Sequence, residues 1–273
     1  MNRILSVFRI AWIEVWNNLR SIKGGTVILT LLFFIHQELK DIVSFADMNH
    51  CSIEFALLPY LHLRVGYTLI FAISVLYYYS DVPFLSKDAL YQLMRMGKKW
   101  WLFTKICYIF FGAILLMGVE MLLSIIVCVP YLSFTGNWGA FWNTLSLTKT
   151  LDISFPRNIV ILYSPISAQM RVCIVGILVV AFMGLIQFAI TLFLGNKYAI
   201  IICGIIACGP VLAANSEYAN IYYFSPVSWI AIVEHSMVYT YTGPNISYMF
   251  GFLFALIVLF IALIRYRVMR MDM

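Results

Sequence analysis

Glu120 is an isolated carboxylate in the apolar run FGAILLMGVEMLLSIIV. A charge at membrane depth costs at least a few kcal/mol, so such residues face a bundle interior or a water-filled path. Two roles fit: lining a substrate path or subunit interface, or serving as a protonated or hydrogen-bonded structural group. The four histidines, His36, His50, His62 and His235, all fall in segments expected on the outer side or at its boundary. His50 and Glu54 have the i,i+4 spacing that lets two metal ligands share a helix face, but two ligands in an outer loop define no metal site. Gly204, Cys208, Gly209 and Pro210 bring small residues and a helix breaker into one apolar segment. Close helix packing accounts for them; a flexible transport element is the alternative.

Other chemistries lack their residues. There is no GxxxxGK[ST] phosphate loop, and no GxSxG, HExxH or kinase set. Cys51, Cys107, Cys128, Cys173, Cys203 and Cys208 form no CxxC pair, so neither a disulfide framework nor a zinc site is indicated. Asn245-Ile246-Ser247 matches a glycosylation sequon as a lone motif.

The elements that must position these residues are set by composition. Of 273 residues, 63% are hydrophobic and 11% charged, against about 25% charged in a soluble domain. No polar surface can cover such a chain, which makes it an all-α integral membrane protein forming one transmembrane domain, 1–273. The net charge of +6 would point to nucleic acid only if it formed one soluble face. It lies beside apolar runs instead, so no nucleic-acid partner is expected. No cleavable signal peptide is expected either, because the N-terminal stretch lacks a small-residue cleavage site.

A helix needs about 20 apolar residues to span, and six candidates are present: Gly24–Glu38, Leu58–Tyr79, Trp101–Tyr131, Val172–Leu194, Tyr198–Ala214 and Tyr248–Ile264. Gly195, Asn196 and Lys197 make a tight hairpin between the fourth and fifth. With both termini cytoplasmic, thirteen lysines and arginines fall inside and five outside: Lys40, Arg64, Lys149, Arg157 and Arg171. That bias sets the orientation, and Lys105 is expected to snorkel to the inner headgroups.

Residues 1–23 form an amphipathic helix. Ile4, Phe8, Ala11, Trp12, Val15, Trp16 and Leu19 share one face, opposite Arg3, Arg9 and Arg20; such a helix lies in the interface plane. Spans one to three occupy 24–132. Between the second and third, SDVPFLSKDALYQLMRMGKKWWLFTK breaks at Pro83, caps a helix with Ser86, places Asp88 in its first turn and stops it at Gly97. An outer segment, 133–171, is mixed polar and aromatic. Within the last part, 172–273, Ser225 and Pro226 open an outer helix at 226–239 that is too short to span and reads as re-entrant or interfacial.

The layout as a whole, and the stretch SDVPFLSKDALYQLMRMGKKWWLFTK with its basic R-x-G-(K)-x-W lead into the third span, resembles the transmembrane (permease) subunits of type-2 ABC exporters, in particular the small bacterial permeases. The resemblance implies that Ser86 to Gly97 is a coupling helix against a separate ATP-binding subunit, with Asp88, Tyr91, Gln92 and Arg95 as contacts. Arg9, Glu14 and Arg20 of the interfacial helix would support that contact. The outer helix, with Pro226, Trp229 and Glu234, would gate the exit. It further implies no cofactor on this chain and no enzymatic activity of its own; ATP and Mg are held by two copies of the partner subunit. A second membrane subunit, as homo- or heterodimer, would complete the substrate path in a bacterial plasma membrane. The 133–171 segment is larger than a minimal permease needs and leaves the substrate open. Two other classes remain: a six-span secondary transporter or channel, which calls for several intramembrane charges and a repeat, and a membrane-embedded enzyme, which calls for clustered Glu, His, Asp or Ser at membrane depth.

Overall fold

The computed structural model describes residues 2–82, 87–147, 155–215, 220–232 and 244–270. Among them, four helices are long and apolar enough to cross a membrane, and six spans result if each of two bent helix pairs counts as one. The described residues are mostly helical, and the strand structure among them is one two-residue parallel pair.

Helix α1 (Asn2–Arg20) meets α2 (Ile22–Asn49) at 65°. Ser21 makes the corner, its Oγ accepting from the Gly24 N–H and so satisfying one of the unpaired donors of the first turn. The helix runs past Glu38, the expected end of this span, to Asn49. Gln37, Glu38, Lys40 and Asp41 look like an exit, yet a buried stripe through Leu31, Ile35, Leu39, Ile42 and Ala46 continues past them. Helical periodicity outweighs local polarity here. Because α2 ends with His50 in the left-handed region (φ 49°) and Glu54 belongs to strand β1 (Ile53–Glu54), His50 and Glu54 share no helix face.

The expected continuous span Leu58–Tyr79 is broken. Helices α3 (Leu57–Leu63) and α4 (Val65–Tyr79) cross at 98° about Arg64, whose backbone is extended. The Thr68 hydroxyl donates to the His62 carbonyl at 3.0 Å, the acceptor that a continuous helix would give to the N–H four residues on. A side chain thus competes with the helix ladder.

Helix α5 (Lys87–Met96) has the expected extent; Ser86, its expected cap, lies outside the described residues. Gly97 follows with φ +80°, a conformation that favours glycine, and α6 (Lys98–Cys128) begins at once. After a 3-10 turn, β2 (Leu132–Ser133) pairs with β1, Glu54 opposite Ser133. Helices α7 (Ala140–Leu147) and α8 (Arg157–Leu162) then build a small cap in which Trp138, Phe141, Trp142 and Phe155 pack ring against ring.

Helix α9 (Pro165–Leu194) opens before the expected Val172, because Ser164 caps it and Pro165 occupies its first position. It is the central helix, buried on nearly every side, with α4, α6, α10 and α13 around it. Gly195 alone (φ +92°) turns the chain into α10 (Asn196–Ala207). Cys208 separates α10 from α11 (Gly209–Asn215), and α12 (Asn220–Tyr223) follows. The expected outer helix 226–239 is not continuous: Pro226–Ile230 form a 3-10 turn, and Ala231 is extended. Glu234 lies outside the described residues. Helix α13 (Ile246–Arg270) closes the bundle, mostly exposed.

Candidate functional site

Glu120 is fully buried on α6, and its surroundings come from the elbow between α3 and α4. Tyr67, in the first turn of α4, donates its phenol proton to Glu120 Oε1 at 2.7 Å. His62, in the last turn of α3, places Nε2 2.9 Å from the same oxygen, and both side chains are wholly buried. Thr68 Oγ1 lies 3.5 Å from His62 Nδ1. Phe71 and Tyr67 stand edge-on to the imidazole. Only the 98° elbow allows this convergence. In a straight helix, residues 62 and 67 lie five positions apart and point away from a common target.

A carboxylate packed against an imidazole and a phenol is far cheaper to bury than a lone charge. Among the described residues neither Glu120 Oε2 nor His62 Nε2 has a partner in hydrogen-bond geometry, so the 2.9 Å approach is a close contact of the two groups. Beside the pair, a cavity of about 290 Å³ is lined by His62, Val65, Thr68, Ala213, Tyr222 and Ser228 among others. Outside the elbow, Arg64 lies 3.9 Å from Glu38 and donates to Tyr60 Oη at 2.7 Å.

A second polar centre lies toward the α5 end of the bundle. Lys105 is 1% exposed and sits 2.7 and 2.9 Å from the two Glu14 oxygens, so it does not snorkel: a carboxylate on α1 reaches it inside the protein. Asn18 donates to Tyr108 Oη at 2.6 Å and to the Tyr78 carbonyl at 3.3 Å. Lys23 binds Ser80 and Asp81. These contacts fasten α1 and the start of α2 to α6 and the end of α4. On α1, Val7, Ala11 and Val15 turn inward, while Phe8, Trp12 and Trp16 stay exposed. The expected apolar face is therefore split between the bundle and the outer surface.

The sequence-based candidates are scattered over these centres. Arg9 and Arg20 are exposed, Arg20 over the Trp16 ring, while Glu14 is engaged by Lys105. On α5, Gln92 is half-buried and Arg95 exposed, and the side chains of Asp88 and Tyr91 lie outside the described set. Pro226 and Trp229 are buried, with Trp229 Nε1 donating to the Tyr222 carbonyl at 2.7 Å. His62, Tyr67 and Thr68 were not foreseen as partners of Glu120. The available signal was a histidine and an arginine two residues apart inside an apolar run, which marks a place where a span can break. Among the described residues no group of His, Cys, Asp or Glu could hold a metal ion.

Fold and site together define a helical protein whose long apolar helices are compatible with several membrane passes and which buries a His–Glu–Tyr cluster beside a cavity. No family model, no characterised protein and no solved structure matches the chain.

Proposed function

We propose that this chain is the membrane-spanning subunit of an ATP-driven exporter, of the type-2 ABC permease kind. The observation that carries the reading is the joint seating of α1 and α5 on the first half of α6. Phe8 meets Phe103 and Phe111, Glu14 meets Lys105, and α5 adjoins the same helix through Gly97. Leu93 of α5 is buried, whereas Met94 and Arg95 are exposed. The described second half of α5 thus turns Leu93 inward and leaves Met94 and Arg95 open, which suits docking of a second protein. In this reading the bent pairs each count as one span, both termini lie in the cytoplasm of a bacterium, and two ATP-binding subunits with ATP and Mg act on two membrane subunits.

Isolation from membranes of the native host tests it. Recovery with a Walker-motif ATPase, and ATP-dependent transport by vesicles holding both proteins, are the expected results. Recovery alone, with transport independent of ATP, refutes it.

The His62–Glu120 pair favours one other reading, a proton-coupled secondary carrier, since proton relays are built from such groups. Transport driven by a pH gradient without ATP would select it.

A further inference from the structure

The end that α9, α10 and α13 share carries positive charge with no carboxylate beside it. Lys197 lies in the first turn of α10, next to the end of α9, and Arg265, Arg267 and Arg270 close α13. Arg267 ties the two places together. Its Nε donates to the Leu192 carbonyl at 3.4 Å, and its guanidinium lies over the Phe193 ring. Among the described residues none of these four cations makes an ion pair, and α9, α10, α11 and α13 contain no aspartate or glutamate. After Glu234 the sequence holds one acidic residue, Asp272, which lies outside the described residues. Like charges gathered this closely repel one another, so an anion from outside the bundle is stabilised at this end.

The same end is shaped for an amphiphile. A groove of about 600 Å³ runs along α13, lined by Val258, Ile261 and Ala262 toward the helix middle and by Arg265, Tyr266 and Arg270 toward its end. The residues from Ile246 to Ile264 are uncharged, roughly 28 Å of helix against a hydrocarbon layer of roughly 30 Å. With that run across the layer, Arg265 stands where the headgroups begin. The Arg270 guanidinium lies over the Tyr266 ring at 4.2 Å. Stacking occupies its face and leaves the N–H donors at its edge, the fork that fits two phosphate oxygens. Of the four helices long and apolar enough to cross a membrane, α13 is the least buried, and Ala262, Arg265, Tyr266 and Arg270 are all exposed. We propose that this groove binds an anionic phospholipid, its phosphate against Arg265 and Arg270 and one acyl chain along Val258, Ile261 and Ala262. A zwitterionic lipid brings its own cation into a cluster of four, and a free phosphate leaves the apolar half of the groove empty. The inference rests on α13 crossing the membrane and not on the exporter reading; absence of an ATPase partner leaves it standing, and absence of lipid preference leaves the exporter reading standing.

The test uses the full chain purified in a neutral detergent and titrated with phosphatidylglycerol or phosphatidylcholine of identical acyl chains, with bound lipid counted by native mass spectrometry. The parent should retain phosphatidylglycerol at about tenfold lower concentration than phosphatidylcholine. Arg265→Gln combined with Arg270→Gln should abolish that preference and leave the melt unchanged, since both side chains are exposed. Should the double variant not fold, Ala262→Phe decides: this exposed position lines the apolar half of the groove, and the larger side chain should weaken lipid retention with both arginines in place. Inorganic phosphate should not displace the lipid. Equal retention of the two lipids, an undiminished preference in the double variant, unchanged retention in Ala262→Phe, or displacement by inorganic phosphate would overturn the proposal. A lipid-free dimer that Ala262→Phe dissociates would overturn it too, and would give the face to a second copy of the chain.

Discussion

Lys105 of α6 and Glu14 of α1 form an ion pair at 2.7 Å in which the lysine is almost wholly enclosed while the glutamate keeps a wet edge, 17% exposed. The two sides are therefore unequal. Removing Glu14 strands a buried ammonium, whereas removing Lys105 frees a carboxylate that can turn to water. Glu14→Gln should cost roughly 3 kcal/mol or more. Lys105→Met should cost less, because the methionine still fills the space. Thermal melts of the purified variants check the order, and equal losses would contradict it.

Glu54 yields a pH dependence of stability. Burial at the β1–β2 pair raises its carboxyl above the ordinary glutamate range, against the lowering effect of backbone N–H groups at Glu54 and Gly139. The folded state thus binds its proton more tightly than the unfolded chain does. The stabilisation is fully present below the ordinary glutamate value and is lost as pH rises through the raised one. Glu54→Gln should melt higher than the parent at pH 8, and the gap should close at pH 4. A constant gap across that range would be the wrong result.

Two glycines of one segment should respond oppositely to alanine. A Cβ on Gly209 would overlap Ser225 Oγ, whereas one on Gly204 meets open space. Gly209→Ala should destabilise by about 1–3 kcal/mol, with partial rescue by Ser225→Ala. Gly204→Ala, in the interior of α10, should be neutral or stabilise by up to about 1 kcal/mol. Melts in detergent separate the two, and they assign the close-packing role to Gly209.

Charge reversal on α5 probes the docking handle. Arg95 is exposed, so Arg95→Glu combined with Asp88→Lys should shift stability by less than about 1 kcal/mol. On the exporter proposal, the same pair of changes should abolish co-purification of an ATP-binding subunit. Retention of that subunit at the parental ratio would remove α5 from the contact.

The helices were legible wherever one signal acted alone. The extent of α5, its glycine stop and the place of α6 followed from local residues. Misreadings arose where signals competed. The polar cluster Gln37 to Asp41 masked the buried stripe that carries α2 onward, and Thr68 broke a span that hydropathy showed as continuous. The candidate site was half visible for the same reason. Glu120 stood out as a lone carboxylate, but its partners depend on a bend that no period in the sequence encodes. Lys105 appeared to be a snorkelling residue because its carboxylate partner is 91 positions away in the chain.

The elbow at Arg64 also has a consequence for the bilayer itself. Helix α4 has 15 residues, a length of roughly 22 Å, against a hydrocarbon layer of roughly 30 Å. With α3 turned aside, α4 is too short to cross such a layer alone while its neighbour α6, with 31 residues, exceeds it, so a bilayer around the bundle would have to meet two helices of unequal reach.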